Sequence, residues 1–255
     1  MRWPGVRKVR RQVCKRISRR MADLGLPGVP AYQAYLERHP GEWACLDDLC
    51  WISISRFYRD GAVFDHLATT ELPSIAKAAM ARGSARIRAW SAGCCAGEEP
   101  YTLMILWRLL LESRFPDLDL HILATDIDRE QLSRAFAACY SRGSLRGLPA
   151  AWIELAFEPR EGRFHLRPEF RAGVEFRQQD IREAMPDEPF DLVLCRNLVF
   201  TYFDPPLQAE ITHALQRRIA PGGVLVLGIH ESLPPDSAGF QEIEPHLHIY
   251  RRESS

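Results

Sequence analysis

The sequence predicts an α/β protein: an open, mainly parallel sheet with helices on both faces, preceded by a small all-α N-terminal domain and interrupted by a small β insertion. Two observations carry this. From about residue 85, short apolar runs alternate with helical patterns, the rhythm of strand–helix–strand units. Before about residue 75, apolar residues recur only at helical spacings. The expected domains are therefore 1–75 and 76–255, with the insertion at 140–173.

In chain order, Val6, Val9, Val13, Ile17, Met21 and Leu24 form one apolar stripe, which predicts a helix over 6–24. Gly25, Pro27 and Gly28 then stop and turn the chain. Tyr32, Tyr35 and Leu36 mark a second helix at about 30–38, and Leu46, Leu49 and Ile52 a third at 44–56. Residues 86–92 read as a strand entering a glycine-rich turn, 100–112 as an apolar helix and 118–125 as a second strand. Asp128 with Gln131 three residues later resembles a capping pair. Residues 174–178 and 190–195 are further strands. Asp204-Pro205-Pro206 opens a helix, with Pro where the first turn tolerates it. That helix is expected to end at Pro221-Gly222-Gly223, before strands at 224–228 and 246–250.

Composition excludes several classes. Hydrophobic residues are 46% and charged residues 26% of the 255, the balance of a globular chain rather than a disordered or fibrous one. No apolar run reaches the roughly 18–20 residues of a membrane span, and the basic start has no apolar stretch behind it, so neither membrane insertion nor a secretory signal is expected. Seven cysteines, none in a CxxC, predict free thiols and a cytoplasmic protein. His246 and His248 would share one strand face without a third ligand, so no metal site is expected. Net charge is zero, yet residues 1–20 hold nine bases and no acid, leaving 24 bases against all 33 acids in the rest. A basic arm on an acidic body points to an anionic partner; an acidic helical protein, a nucleic acid and plain solvation of the helix all fit.

The stretch Trp90-Ser91-Ala92-Gly93-Cys94-Cys95-Ala96-Gly97-Glu98-Glu99-Pro100-Tyr101 lies between a predicted strand and a helix. Its glycines admit a close ligand, and ligands in open α/β sheets bind at the carboxyl ends of strands. It is neither GxGxxG nor a phosphate-binding loop with lysine, which argues against a nicotinamide enzyme. Two carboxylates would repel pyrophosphate and suit a cationic ligand with an ammonium group and hydroxyls, such as S-adenosylmethionine. The competing reading is a glycine turn whose glutamates serve the helix dipole. Asp126 ends the second strand, where an acid commonly holds ribose hydroxyls; Asp128 competes as a helix cap. Arg196-Asn197 ends another strand and is followed by Phe200, Tyr202 and Phe203, which could line the cleft or be plain core.

Together these segments resemble the chemotaxis receptor methyltransferase family, the CheR type, from about residue 8 to 250. The resemblance rests on Trp90–Thr102, Ala124–Asp128, Phe190–Asn197, Tyr202–Asp204, Ile219–Gly223, Gly228–Glu231 and Ser55-Arg56-Phe57-Tyr58-Arg59-Asp60. It implies a class I Rossmann-like methyltransferase sheet and S-adenosyl-L-methionine as cofactor, with S-adenosyl-L-homocysteine as product. The implied reaction is in-line methyl transfer to glutamate carboxylates of chemoreceptor cytoplasmic helices. Carried over by position, Ser53, Ser55, Arg59, Gly93, Glu99, Asp126, Asp180, Ile181, Arg196 and Asn197 would bind the cofactor. Arg59 and Tyr202 would serve the transfer. Arg10, Arg11, Lys15, Arg16, Arg19 and Arg20 would dock the acidic receptor helix, with no nucleic acid partner and a monomeric enzyme. The chain departs from the family at Ser55, Tyr58 and Cys95-Ala96, and carries one extra residue after Arg196-Asn197, so Thr201 and Tyr202 both compete for the family's tyrosine position. The resemblance also leads one to expect that the leading helix of the family's N-terminal domain is missing here. The alternatives are a methyltransferase for another substrate and a cofactor-binding regulator.

Overall fold

The computed structural model describes residues 3–50, 55–187, 189–235 and 237–253. Two compact units divide the chain, Met1–Ile54 and Ser55–Ser255. This boundary falls earlier than residue 75, because the helices over 61–81 bury Val63, Phe64, Leu67, Leu72 and Ile75 in the core of the second unit's sheet.

The first unit holds α1 (Trp3–Asp23), α2 (Val29–Arg38) and α3 (Glu42–Cys50). Along the stripe of α1, Val13 is buried and Ile17, Met21 and Leu24 are half-buried; the side chains of Val6 and Val9 lie outside the description. Tyr32 and Leu36 of α2 are buried. The buried Glu42 accepts Arg20 Nε at 2.9 Å, Arg20 Nη2 at 2.7 Å and the Tyr32 hydroxyl at 2.9 Å. α3 ends at Cys50 and residues 55–56 are irregular, so the helix expected over 44–56 is shorter within the described residues.

In the second unit, α4 (Gly61–His66) continues through a π-helical turn, Leu67–Glu71, into α5 (Leu72–Ala81). Then come β1 (Arg86–Ala92), α6 (Glu98–Leu106) with a π-helical turn to Leu111, β2 (Asp119–Asp126) and α7 (Arg129–Ala137). The insertion contributes β3 (Cys139–Tyr140), α8 (Arg142–Leu145), α9 (Ala150–Ala156), β4 (Phe157–Arg160) and β5 (Arg163–Leu166). The chain continues through β6 (Val174–Gln178), β7 (Phe190–Cys195), α10 (Val199–Tyr202), α11 (Pro205–Arg218), β8 (Ile219–Leu227), β9 (Phe240–Glu244) and β10 (Ile249–Arg252).

The main sheet has seven strands in the order β6-β2-β1-β7-β8-β10-β9. β6, β2, β1, β7 and β8 pair in parallel, and β10 lies antiparallel between β8 and β9. Strand order reverses between β1 and β7, which places a crevice at their carboxyl ends. One face of the sheet (Ile87, Ala89, Leu120, Ile122, Leu192, Leu194) packs on α4, α5 and α6. The insertion is a three-stranded antiparallel sheet, β3-β5-β4. Its core joins Phe57 to Tyr101, Tyr140, Phe157 and Leu166.

Three expectations are corrected at element ends. α11 stops at Arg218 rather than at Pro221-Gly222-Gly223, because Ile219 already pairs with Phe190 in the sheet; the Pro-Gly-Gly run falls where the β7–β8 register slips. His246 and His248 lie in a turn, not on one strand face, since the final strand begins at Ile249. The Asp128–Gln131 pair is one-sided. Asp128 accepts the amides of Glu130 and Gln131, while its own amide goes to Asp126.

Candidate active site

The loop after β1 is shaped by positive-φ backbone at Gly93, Cys95 and Gly97. A Cβ on Gly97 would stand 3.0–3.2 Å from Ala135, Phe176 and Tyr101, so glycine is required for the loop to close on α7. The amides of Gly93 and Cys94 both donate to the Thr125 carbonyl. Asp126 accepts the Cys95 amide at 2.8 Å and the Asp128 amide at 2.9 Å. Burial raises the Asp126 carboxyl above its usual range, and these amides oppose the rise. An ionised carboxylate has about four acceptor positions, so this one keeps capacity for hydroxyls.

At the start of α6, Glu99 accepts Ser91 Oγ at 2.8 Å and Arg196 Nη1 at 3.1 Å. Arg196, from the end of β7, also donates Nη2 to Asp60 Oδ2 at 2.7 Å and to the Arg59 carbonyl at 3.1 Å. Its guanidinium lies 5.4 Å from the Phe64 ring centre, a cation–π distance. Its side chain is 2% exposed. Arg59 Nη2 in turn donates to Asn197 Oδ1 at 3.2 Å. A chain of alternating charge thus ties the glycine loop, the β7 end and the 55–60 segment together.

The 55–60 segment is held rigidly. Phe57 meets Tyr140 and Phe157 edge to face at 4.7 and 5.2 Å. The Tyr58 amide donates to Thr102 Oγ1 at 3.0 Å. Tyr58 and Asp60 both have positive φ, a strained conformation for such residues that the surroundings must impose. Arg59 stands between them.

Asn197 likewise has φ of 56°. The buried Glu231 stabilises that turn, accepting the Asn197 amide at 2.5 Å, the Gly228 amide at 2.8 Å and Thr201 Oγ1 at 2.7 Å. Of the two residues competing for the tyrosine position, Thr201 is thereby engaged with Glu231. Burial raises the Tyr202 hydroxyl above its ordinary pKa, and the charge of Arg59 opposes the rise.

The structure therefore brings Arg59, Glu99, Arg196 and Asn197 into one bonded network. Gly93 lies beside Leu198, since a Cβ there would stand 2.8 Å from Leu198 Cδ2. Asp180 and Ile181 follow β6, where the Gln179 amide donates to the Asp126 carbonyl. The Asp180 carboxylate is gripped by Arg182 at 2.6 Å, and Ile181 is buried. Ser55 hydrogen-bonds the buried Glu98, whose carboxyl burial raises. Ser53 lies outside the described residues. Asp60 and Glu231 join this arrangement as well; each ends a motif, Ser55–Asp60 and Gly228–Glu231, but their partners lie too far along the chain for a local pattern to show. On the first unit, Arg10, Arg11, Lys15, Arg16 and Arg19 are exposed and Arg20 is half-buried in its Glu42 ion pair.

The donor set fits a zwitterionic, hydroxyl-bearing ligand. Carboxylates of Asp60 and Glu99 alternate with guanidiniums of Arg59 and Arg196, and Asp126 stands at the next strand end. Among the described residues, the buried Arg196 Nε has no hydrogen-bond partner.

Residues 53–248 match the family model described as CheR methyltransferase, SAM binding domain. The chain belongs to this family of S-adenosylmethionine-dependent methyltransferases, and S-adenosylmethionine is its cofactor. More particular likenesses follow. It is 30% identical over 226 residues to a probable chemotaxis protein methyltransferase of Rhizobium etli, covering 86% of this chain and 83% of that one. It is 29% identical to the probable biofilm formation methyltransferase WspC of Pseudomonas aeruginosa, covering 93% of this chain and 56% of that one. An uncharacterized 104.1 kDa protein of Rhodobacter capsulatus is 33% identical over 94% of this chain. The chain spans only 25% of that protein's length.

Proposed function

We propose that this protein methylates glutamate side chains on the cytoplasmic helices of chemoreceptors, as a monomeric cytoplasmic protein-glutamate O-methyltransferase. The observation that carries the reading is the Glu99–Arg196–Asp60 bridge with Arg59 beside it, where three separate family motifs meet at the strand-order reversal. The bound cofactor supplies a sulfonium methyl group. A glutamate acceptor has an ordinary pKa of about 4.3 and arrives ionised, so no residue need remove a proton from it. Arg59 orients that carboxylate with its guanidinium fork, and Tyr202 lines the pocket. Arg196, Glu99, Asp126 and Asn197 hold the cofactor, with Asp180 and Ile181 beside its base. The exposed bases of α1 dock the acidic receptor helix.

The test is incubation with methyl-labelled S-adenosylmethionine and chemoreceptor-bearing membranes. Label released by base as methanol supports a carboxyl ester; a base-stable product would overturn the reading. Arg59→Ala is expected to keep S-adenosylhomocysteine affinity within about threefold while lowering turnover by roughly 100-fold or more. The likeness to WspC favours receptors of a biofilm-forming pathway as alternative acceptors, and a panel of receptor membranes separates the two.

A further inference from the structure

We propose that Cys139, on the outer face of the insertion's three-stranded sheet, is a nucleophilic thiol that forms a mixed disulfide with a small soluble disulfide. Side chains alternate across a strand, and one face of this sheet is core: Tyr140, Phe157, Phe164 and Leu166 pack there with Phe57. The register pairs Tyr140 with Phe164 and Phe157 with Leu166. The outer face carries the alternate positions. Cys139 pairs with His165, and His165 with Glu158, so a thiol, an imidazole and a carboxylate stand in one row across β3, β5 and β4. Arg163 and Arg160 face each other in the next row. Directly opposed side chains in antiparallel strands start about 5 Å apart, within reach of one another.

The contacts close on the sulfur. His165 Nε2 lies 3.5 Å from Cys139 Sγ, and Arg163 donates Nε to the same sulfur at 3.0 Å and Nη2 to the Cys139 carbonyl at 2.9 Å. On the far side of His165, Glu158 accepts Arg160 Nη2 at 2.6 Å. That bond holds the Glu158 carboxyl below its ordinary range, and the charges of Arg160, Arg167 and His165 act in the same sense. A thiol beside a base, with a third group next to the base, is the arrangement of an activated nucleophile. Cys139, Glu158 and His165 are half-buried and Arg160 and Arg163 exposed, so a dissolved reagent reaches the sulfur. In the step, His165 Nε2 takes the thiol proton and the thiolate attacks one sulfur of the disulfide. The new S–S bond forms as the reagent's S–S bond breaks, and the departing thiolate takes the proton back from His165. The outer face holds no second cysteine among its described residues, so the product is a mixed disulfide and not an internal one.

The experiment incubates the full chain with glutathione disulfide and follows the adducts by peptide mass spectrometry. Cys139 is expected to be modified first, ahead of the more exposed Cys14 and Cys45, and dithiothreitol should remove the adduct. His165→Gln and Arg163→Gln should each slow modification of Cys139 about tenfold or more, with the Cys14 rate and S-adenosylhomocysteine affinity unchanged. If His165→Gln loosens the small sheet, Arg163→Gln, at an exposed position, carries the same test. Cys139 reacting no faster than Cys14, or at the parent's rate in either folded variant, would overturn the proposal.

Discussion

Glu231 shows how a single buried side chain can set a turn at the candidate site. Its carboxylate satisfies two backbone amides and one hydroxyl, and one of those amides belongs to the left-handed Asn197. Glu231→Ala leaves those donors without their acceptor. We expect a stability loss of about 3 kcal/mol by urea denaturation, and a fall in methyl transfer that Glu231→Gln only partly repeats. Glu98 supports a pH prediction. Burial raises its folded pKa above the unfolded value, so the folded state keeps a proton where the unfolded chain has lost it. Its contribution to stability is complete below the ordinary carboxylate range and declines as pH rises through the raised value. Glu98→Gln should therefore gain stability relative to the parent at about pH 7.5, and the gap should close near about pH 4. A gap that is the same at both would refute this. Glu98 and Glu99 look alike in sequence, and only their surroundings separate a buried acid from one bridged to Arg196.

At the scale of elements, the strands over 86–92, 174–178 and 190–195 could be read directly, because apolar runs bounded by turn residues leave few alternatives. The ends of α11 and β8 could not. Pro-Gly-Gly normally stops a helix, but pairing of Ile219 with Phe190 overrides that local signal. The glycine loop was legible as a tight turn between β1 and α6, though its packing against Leu198 was not. Gly93→Ala adds a Cβ 2.8 Å from Leu198 Cδ2 at a φ of +75°. The leucine can turn aside, but the backbone conformation resists any L side chain. S-adenosylhomocysteine affinity should fall about tenfold or more in calorimetry, with the thermal transition lowered by only a few degrees.

The whole molecule combines a catalytic unit with a basic helical unit, and the proposed docking role can be tested between them. Replacing Arg10, Arg11, Lys15 and Arg19 with glutamate alters exposed positions of α1. It should raise the KM for receptor membranes by about tenfold or more and leave kcat and S-adenosylhomocysteine affinity unchanged. The parent's KM should rise with salt as the charges are screened. A KM unmoved by charge reversal would remove α1 from recognition. Arg20 is left out of this variant because it is committed to Glu42, a pairing that charge counting along the chain could not reveal.

By itself, the sequence determined the layered class and the order of most strands and helices, which follow from short-range periodicity, and its contiguous motifs carried the family resemblance that implied the cofactor. Tertiary structure alone decided which acids and bases meet. Asp60 and Arg196 are 136 residues apart in the chain, and Glu99 and Arg196 are 97 apart. Contacts of such separation are set by strand order and packing, which no local pattern encodes.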